Sequence, residues 1–148
     1  MPVIYSQEWY QAMFDLANSR DDISKKLPQG EGCVAVEVQG DGRSPYIQAG
    51  ETKHFFIRFR DGKVAEYRES EERIPSKGLN YRVIGEAHIF EGVAAGVLDP
   101  VEAGLNGSVT IRGDMRALMQ HADLVKVIFE VYSDSNVTDW PLGKPPYL

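Results

Sequence analysis

The sequence predicts an α+β fold, a five-stranded and mostly antiparallel sheet covered by helices. Strand-like alternation is confined to five short runs, and four of them follow one another between Cys33 and Ile84. Apolar residues at helical spacing fill the segments before and after those four. Asp61-Gly62, a two-residue hairpin signal, joins two of the runs and makes them antiparallel neighbours. Strands and helices segregated in this way give an α+β architecture. The 148 residues are 43% hydrophobic, enough for one core. No repeat divides them, so one domain is expected over residues 1–148, with 133–148 as a C-terminal tail.

The elements follow in order. Ser6 caps a helix running to about Ser19. Tyr5 and Tyr10 flank that cap as a hydrophobic staple, and Trp9, Met13, Leu16 and Ala17 form one apolar stripe. Asp22 starts a second, short helix that Pro28-Gln29-Gly30 ends. In the strand Cys33 to Gln39, Val34, Val36 and Val38 point one way and Ala35 and Glu37 the other. Gly40-Asp41-Gly42 is a turn or loop, and the polar stretch to Gly50 is expected to be mobile. From Thr52 to Arg60, Phe55, Ile57 and Phe59 alternate with Phe56, Arg58 and Arg60. Lys63 to Arg68 returns as the partner strand. Glu69 to Lys77 is charged, contains Pro75, and is expected to be a solvated loop. Tyr81 to Ile84 is the fourth strand.

Helices resume near Glu86, with Ile89, Phe90, Val93, Ala94 and Val97 on one face. Asp99-Pro100-Val101-Glu102 is a helix start with the elements of a capping box, and Asn106-Gly107 stops that helix. Ser108 to Arg112 is the fifth strand, with Val109 and Ile111 on one face. Gly113-Asp114 opens a helix carrying Met115, Leu118, Met119 and Ala122. This order, an apolar helix, a D-P-x-x-A helix, an N-G turn, an alternating strand and a G-D-M helix start, resembles the C-terminal half of the sterol carrier protein-2 (SCP-2) family. The resemblance is strongest from Tyr81 to Tyr132 and architectural before it. It implies a five-stranded sheet, a layer of helices and an apolar lipid tunnel between them. Leu124 to Tyr132 is β-branched, as an edge strand would be, yet Leu124, Val125, Ile128, Phe129 and Tyr132 keep helical spacing. That spacing and the resemblance favour helix. In the polar, proline-containing tail, Trp140 and Tyr147 are expected anchors on the core.

Composition excludes some functions. A net charge of −6 and a pI near 5.1 disfavour nucleic acid and a constitutive hold on anionic membranes. A single cysteine, Cys33, allows no intrachain disulfide and favours a reducing compartment. With no signal segment, sorting motif or bilayer-length apolar run expected, the chain is assigned to the cytoplasm, without stable membrane insertion. Asn136-Val137-Thr138 is then a chance sequon.

Chemistry is scarce. His54, His88 and His121 lack metal-ligand spacing to another His or Cys, and Glu86-Ala87-His88 is not a zincin helix; all three are expected to be surface or satisfied histidines, so no metal and no cofactor are assigned. Cys33 is expected to be a buried, inert thiol. Gly30-Glu31-Gly32 and Gly40-Asp41-Gly42 lack the strand–loop–helix context of a phosphate cradle. Glu69, Glu71 and Glu72 lack the spacing of a calcium loop. Arg58 and Arg60, preceded by Lys53 and His54, belong to a solvated outer face; the alternative is contact with a head group or carboxylate.

No catalytic constellation emerges, and the expected activity is non-enzymatic binding or carriage of a lipid-like ligand of the sterol, fatty-acid or acyl-CoA class. The resemblance places the ligand between the sheet residues Phe55, Ile57 and Phe59 and the helical residues Ile89, Phe90 and Val93. Met115, Leu118, Met119, Val125, Ile128 and Phe129 complete the expected lining, and methionine suits surfaces that adapt to varied shapes. The alternative is an interaction module with the same fold, a filled cavity and a homodimer interface. A small enzyme using the cavity as a substrate pocket ranks last.

Overall fold

The computed structural model describes residues 2–19, 21, 25, 30–99, 102, 103, 106–114, 116 and 138–147. Helix α1 (Gln7–Ser19) precedes strands β1 (Glu31–Gln39), β2 (Thr52–Arg60), β3 (Lys63–Ser70) and β4 (Tyr81–Glu86). Helix α2 (Ala87–Ala94) and strand β5 (Val109–Gly113) follow. The strands form one sheet in the order β3-β2-β1-β4-β5. β1 runs antiparallel to β2 and parallel to β4, and the β2–β3 and β4–β5 pairs are antiparallel. The expected α+β class and mostly antiparallel sheet are thus observed. Most of the segment from Asp22 to Gln29, the helix expected after Gly113-Asp114 and the Leu124–Tyr132 run lie outside the described residues.

Local chemistry explains the elements. Ser6 Oγ accepts the Trp9 N–H at 3.2 Å and caps α1. Trp9, Tyr10 and Met13 are buried, so the predicted stripe faces the core. Asp61 and Gly62 have φ of 48° and 81°, the paired positive values of a type I′ turn, and the hairpin closes there. The turn after β1 needs a glycine for another reason. A Cβ at Gly40 would stand 1.8 Å from the Gln48 carbonyl oxygen, while Gly40 N–H donates to Glu51 O at 2.7 Å.

Several expectations are corrected. Val97 is not on the helix: α2 stops at Ala94, and Gly96, at φ 77°, turns the chain in a Schellman motif. The Val97 N–H donates to Gly92 O and the Gly96 N–H to Val93 O, which leaves Val97 50% exposed. The stretch from Asp41 to Gly50, expected to be a mobile polar loop, is tied to the core at two points: Ile47 is 2% exposed there and Ser44 is buried. Glu69 and Ser70 belong to β3, because Glu69 pairs with Phe55 and Ser70 with His54. The loop after β3 covers the part of the outer sheet face around Arg82 and Glu37. Ile74 is buried there, and its carbonyl, with Ser76 Oγ, accepts from Arg82.

The register sorts the side chains. Phe55, Val36 and Val83 share one face with Ile57, Val34 and Tyr81. That face meets α1 and α2, and a core of Ile4, Tyr5, Trp9, Tyr10, Met13, Val38, Ile47, Phe55, Ala87 and Phe90 packs there. Trp140 packs against the same core and Tyr147 bonds to Glu91, so both expected tail anchors are observed.

Gly40→Ala drives a methyl into backbone and is expected to cost about 1–3 kcal/mol or more in denaturant melts. Gly42→Ala meets nothing within 4 Å and is opposed only by its φ of 79°. It should cost about 1 kcal/mol.

Candidate functional site

The helix-side face of the sheet divides into two unlike halves. Toward the start of β2 it is filled by aromatic rings. Tyr10 lies 5.0 Å and Tyr5 6.5 Å, centroid to centroid, from Phe55; Tyr67 stacks on Tyr10 at 5.3 Å. Toward the end of β2 the same face is only half-covered. Val34, Ile57, Phe59, Tyr81 and Ile111 are neighbours by register or diagonal, all are half-buried, and none belongs to the aromatic core. A contiguous apolar surface of this kind is the raw material of a ligand site.

The expected lining residues distribute between the halves. Phe55, Phe90 and Val93 are buried, and Phe55 and Phe90 are members of the aromatic core. Ile57, Phe59 and Ile89 are half-buried. Met115, Leu118, Met119, Val125, Ile128 and Phe129 lie outside the described residues, as does His121. A separate open cleft of about 400 Å³ runs between α1 and β3, lined by Gln7, Tyr10, Gln11, Phe14, Tyr67, Arg68 and Glu69. It contains none of the expected lining residues.

The polar groups around the face were missed by the sequence reading. Glu91, on α2, is fully buried. Its Oε2 accepts from Tyr5 Oη at 2.7 Å and Ser44 Oγ at 2.8 Å, and its Oε1 from Tyr147 Oη at 2.6 Å. Burial pushes the Glu91 carboxyl up from its ordinary value, and the hydroxyls of Tyr147, Tyr5 and Ser44 oppose that shift without cancelling it. Burial and its bond to Glu91 hold the Tyr147 hydroxyl protonated well above the usual phenol range. The only available signal was a lone acid in the apolar run Ile89-Phe90-Glu91-Gly92-Val93.

Asp41 is the second such group. Its Oδ1 accepts from the N–H of Arg43 at 2.8 Å and of Ser44 at 3.0 Å. Its Oδ2 accepts the His88 N–H at 2.8 Å, so Asp41 caps α2 from 47 residues away. The helix's own N-cap, Glu86, makes no side-chain cap bond. Burial opposes the Asp41 charge, but the N–H donors of His88 and Ser44 and the His88 ring outweigh it and hold the carboxyl well below the usual range. His88 Nδ1 lies 2.5 Å from Asp41 Oδ2, so His88 is a satisfied histidine.

On the outer face, Glu37 sits 3.4 Å from Arg82, 3.3 Å from Arg73 and 3.6 Å from His54. Arg58 pairs with Glu66 at 2.6 Å and Arg60 with Glu31 at 2.7 Å, the cross-strand ion pairs of a solvated face. Cys33 is half-buried rather than buried, and its backbone exchanges hydrogen bonds with Asn80. No described helix is long and apolar enough to cross a membrane.

The sequence matches no protein-family model and no curated protein. Solved structures do match. The crystal structure of sterol carrier protein 2 aligns with a TM-score of 0.74 at 17% identity, covering 88% of this chain and 98% of that one. The chain has the SCP-2 fold. A conserved hypothetical protein of Thermus thermophilus matches with a TM-score of 0.71 at 16% identity, over 93% of this chain and 92% of its own. The palmitated SCP2L2 of Aedes aegypti matches with a TM-score of 0.51 at 14% identity, over 80% and 92%. The SCP-2 fold also accounts for the five-stranded order and for helices on one face of the sheet.

Glu91 gives a signed pH effect. Its folded pKa is raised above the ordinary 4.5. Its contribution to stability is therefore fully present below the unfolded pKa and lost as pH rises through the folded value. Relative to the native chain, Glu91→Gln should gain stability between pH 4.5 and neutrality, as checked by urea melts at a series of pH values. An unchanged difference across that window would contradict the assignment.

Proposed function

We propose that the chain binds a lipid-like ligand of the sterol, fatty-acid or acyl-CoA class without chemically converting it. The observation that carries this reading is the half-buried row Val34, Ile57, Phe59, Tyr81 and Ile111 beside a filled aromatic core. Ile57 and Phe59 were expected in the lining from sequence. We place the ligand over this row, with Ile89 at its edge and Met115, Leu118, Met119, Val125, Ile128 and Phe129 as its opposite wall. Support comes from the SCP-2 fold and from the palmitated state of the Aedes aegypti structure.

The drive is burial. Each methylene removed from water contributes about 0.8 kcal/mol. Ten of them contribute roughly 8 kcal/mol, equivalent to about micromolar affinity before the cost of immobilising the chain is subtracted, so micromolar binding needs a few more buried groups. No head-group charge is required, in keeping with the acidic composition.

A second reading is an interaction module whose face is closed by protein. It is favoured by the burial of Phe55, Phe90 and Val93, which were expected to line a cavity. The unfilled row would then be a homodimer interface.

A fluorescent fatty-acid series separates the two. Saturable binding that strengthens about fourfold per added methylene, with little salt dependence, supports the ligand reading. Ile57→Trp should weaken long chains more than short ones and leave stability within about 1–2 kcal/mol. Phe55→Ala, in the packed half, should instead cost about 3–5 kcal/mol. No saturable binding, together with a dimer in sedimentation, would replace the first reading by the second.

A further inference from the structure

Among the described strands, β1 and β4 form the one parallel pair, and their chains leave the sheet at the same end. Gln39 pairs with Glu86, so Gly40-Asp41 and Ala87-His88 emerge side by side. Asp41, Glu86 and His88 each offer one ligand atom within 4.8 Å of the other two. The ring nitrogen is 2.5 Å from Asp41 Oδ2 and 3.4 Å from Glu86 Oε2.

We propose that Asp41, Glu86 and His88 form a binding site for a divalent transition-metal cation of the zinc type. The donor set is one imidazole nitrogen and two carboxylate oxygens, which suits such an ion and disfavours magnesium. One of the ligands is also held in place. The Asp41 side chain is 4% exposed, and the N–H groups of Arg43, Ser44 and His88 fix its plane. Groups that orient a ligand in this way raise metal affinity.

The charge arrangement is the deciding feature. The N–H of His88 already completes the helix cap, so the imidazole is not needed for it. Two carboxylate oxygens nevertheless converge on one ring nitrogen. The two carboxylates thus approach each other as a like-charge pair across one nitrogen. A dication there, once the ring swings back from its 2.5 Å contact with Asp41, neutralises both carboxylates and takes the nitrogen lone pair. Glu86, 56% exposed, lies on the solvent side, where an ion enters and where water completes the coordination.

The test is calorimetric titration of zinc into the full chain, free of any histidine tag and stripped with chelator. One equivalent should bind saturably, and an equal concentration of magnesium should not compete. His88→Ala and Glu86→Gln should each weaken zinc by at least about tenfold. His88→Ala also removes the contact with Asp41, so Glu86→Gln is the cleaner variant; its exposed side chain makes no cap bond, and its metal-free melt should overlay the native one. Absent saturable binding, effective magnesium competition, or native zinc affinity in either variant would overturn the proposal.

Discussion

Glu91 is an ionisable group with no access to water, and four chain segments meet on it. It projects from α2, and its three hydroxyl donors come from the N-terminal segment, the loop after β1 and the C-terminal tail. A buried carboxyl left short of partners costs several kcal/mol, so these segments must arrive together. Ser44 reaches Glu91 only if the loop folds back over α2, and that same path brings Asp41 to the helix N-terminus. The two acids thus share one loop: one caps the helix, the other is sealed beneath it.

The sheet separates polar from apolar work. On its outer face Glu37 and Arg82 are sealed by the loop that carries Ile74. Such a pair contributes little net stability, but it resists register slippage because a one-residue shift would strand a charge. On the inner face the rings of Tyr5, Trp9, Tyr10 and Phe55 make a closely packed block beside a softer aliphatic row. Under the proposed reading, an acyl chain on that row meets the aromatic block at one end, which gives the site a natural stop.

The strands were legible because each has a local signal. Alternation in β2 and the Asp61-Gly62 turn are properties of neighbouring residues, and so are the Ser6 cap and the Gly107 turn. What escaped depends on residues far apart in sequence. The glycines and polar residues around Asp41 look like a mobile loop, and only the distant partners of Ser44 and Ile47 tie that loop to the core. Gly96 ended a helix whose apolar spacing continued to Val97, because the left-handed turn outweighed periodicity. Histidine spacing was tested against other His and Cys, so the convergence of His88 with a carboxylate 47 residues away was invisible. For the proposed site, alternation put Ile57 and Phe59 on the helix-side face, but it does not distinguish which end of that face is filled.

The bond from Trp9 Nε1 to Thr138 Oγ1 joins residues 129 positions apart, and Val3 forms a parallel bridge with Asp139. During synthesis, α1 therefore emerges from the ribosome long before the segment that satisfies its tryptophan. Until that segment arrives, the indole N–H has no Thr138 and Glu91 has no Tyr147. A nascent chain can pair β2 with β3 early, since that contact is local, but it must keep its aromatic block open at one seam until residues 138–147 have been made. The seam is the place where a chaperone or a premature stop would act.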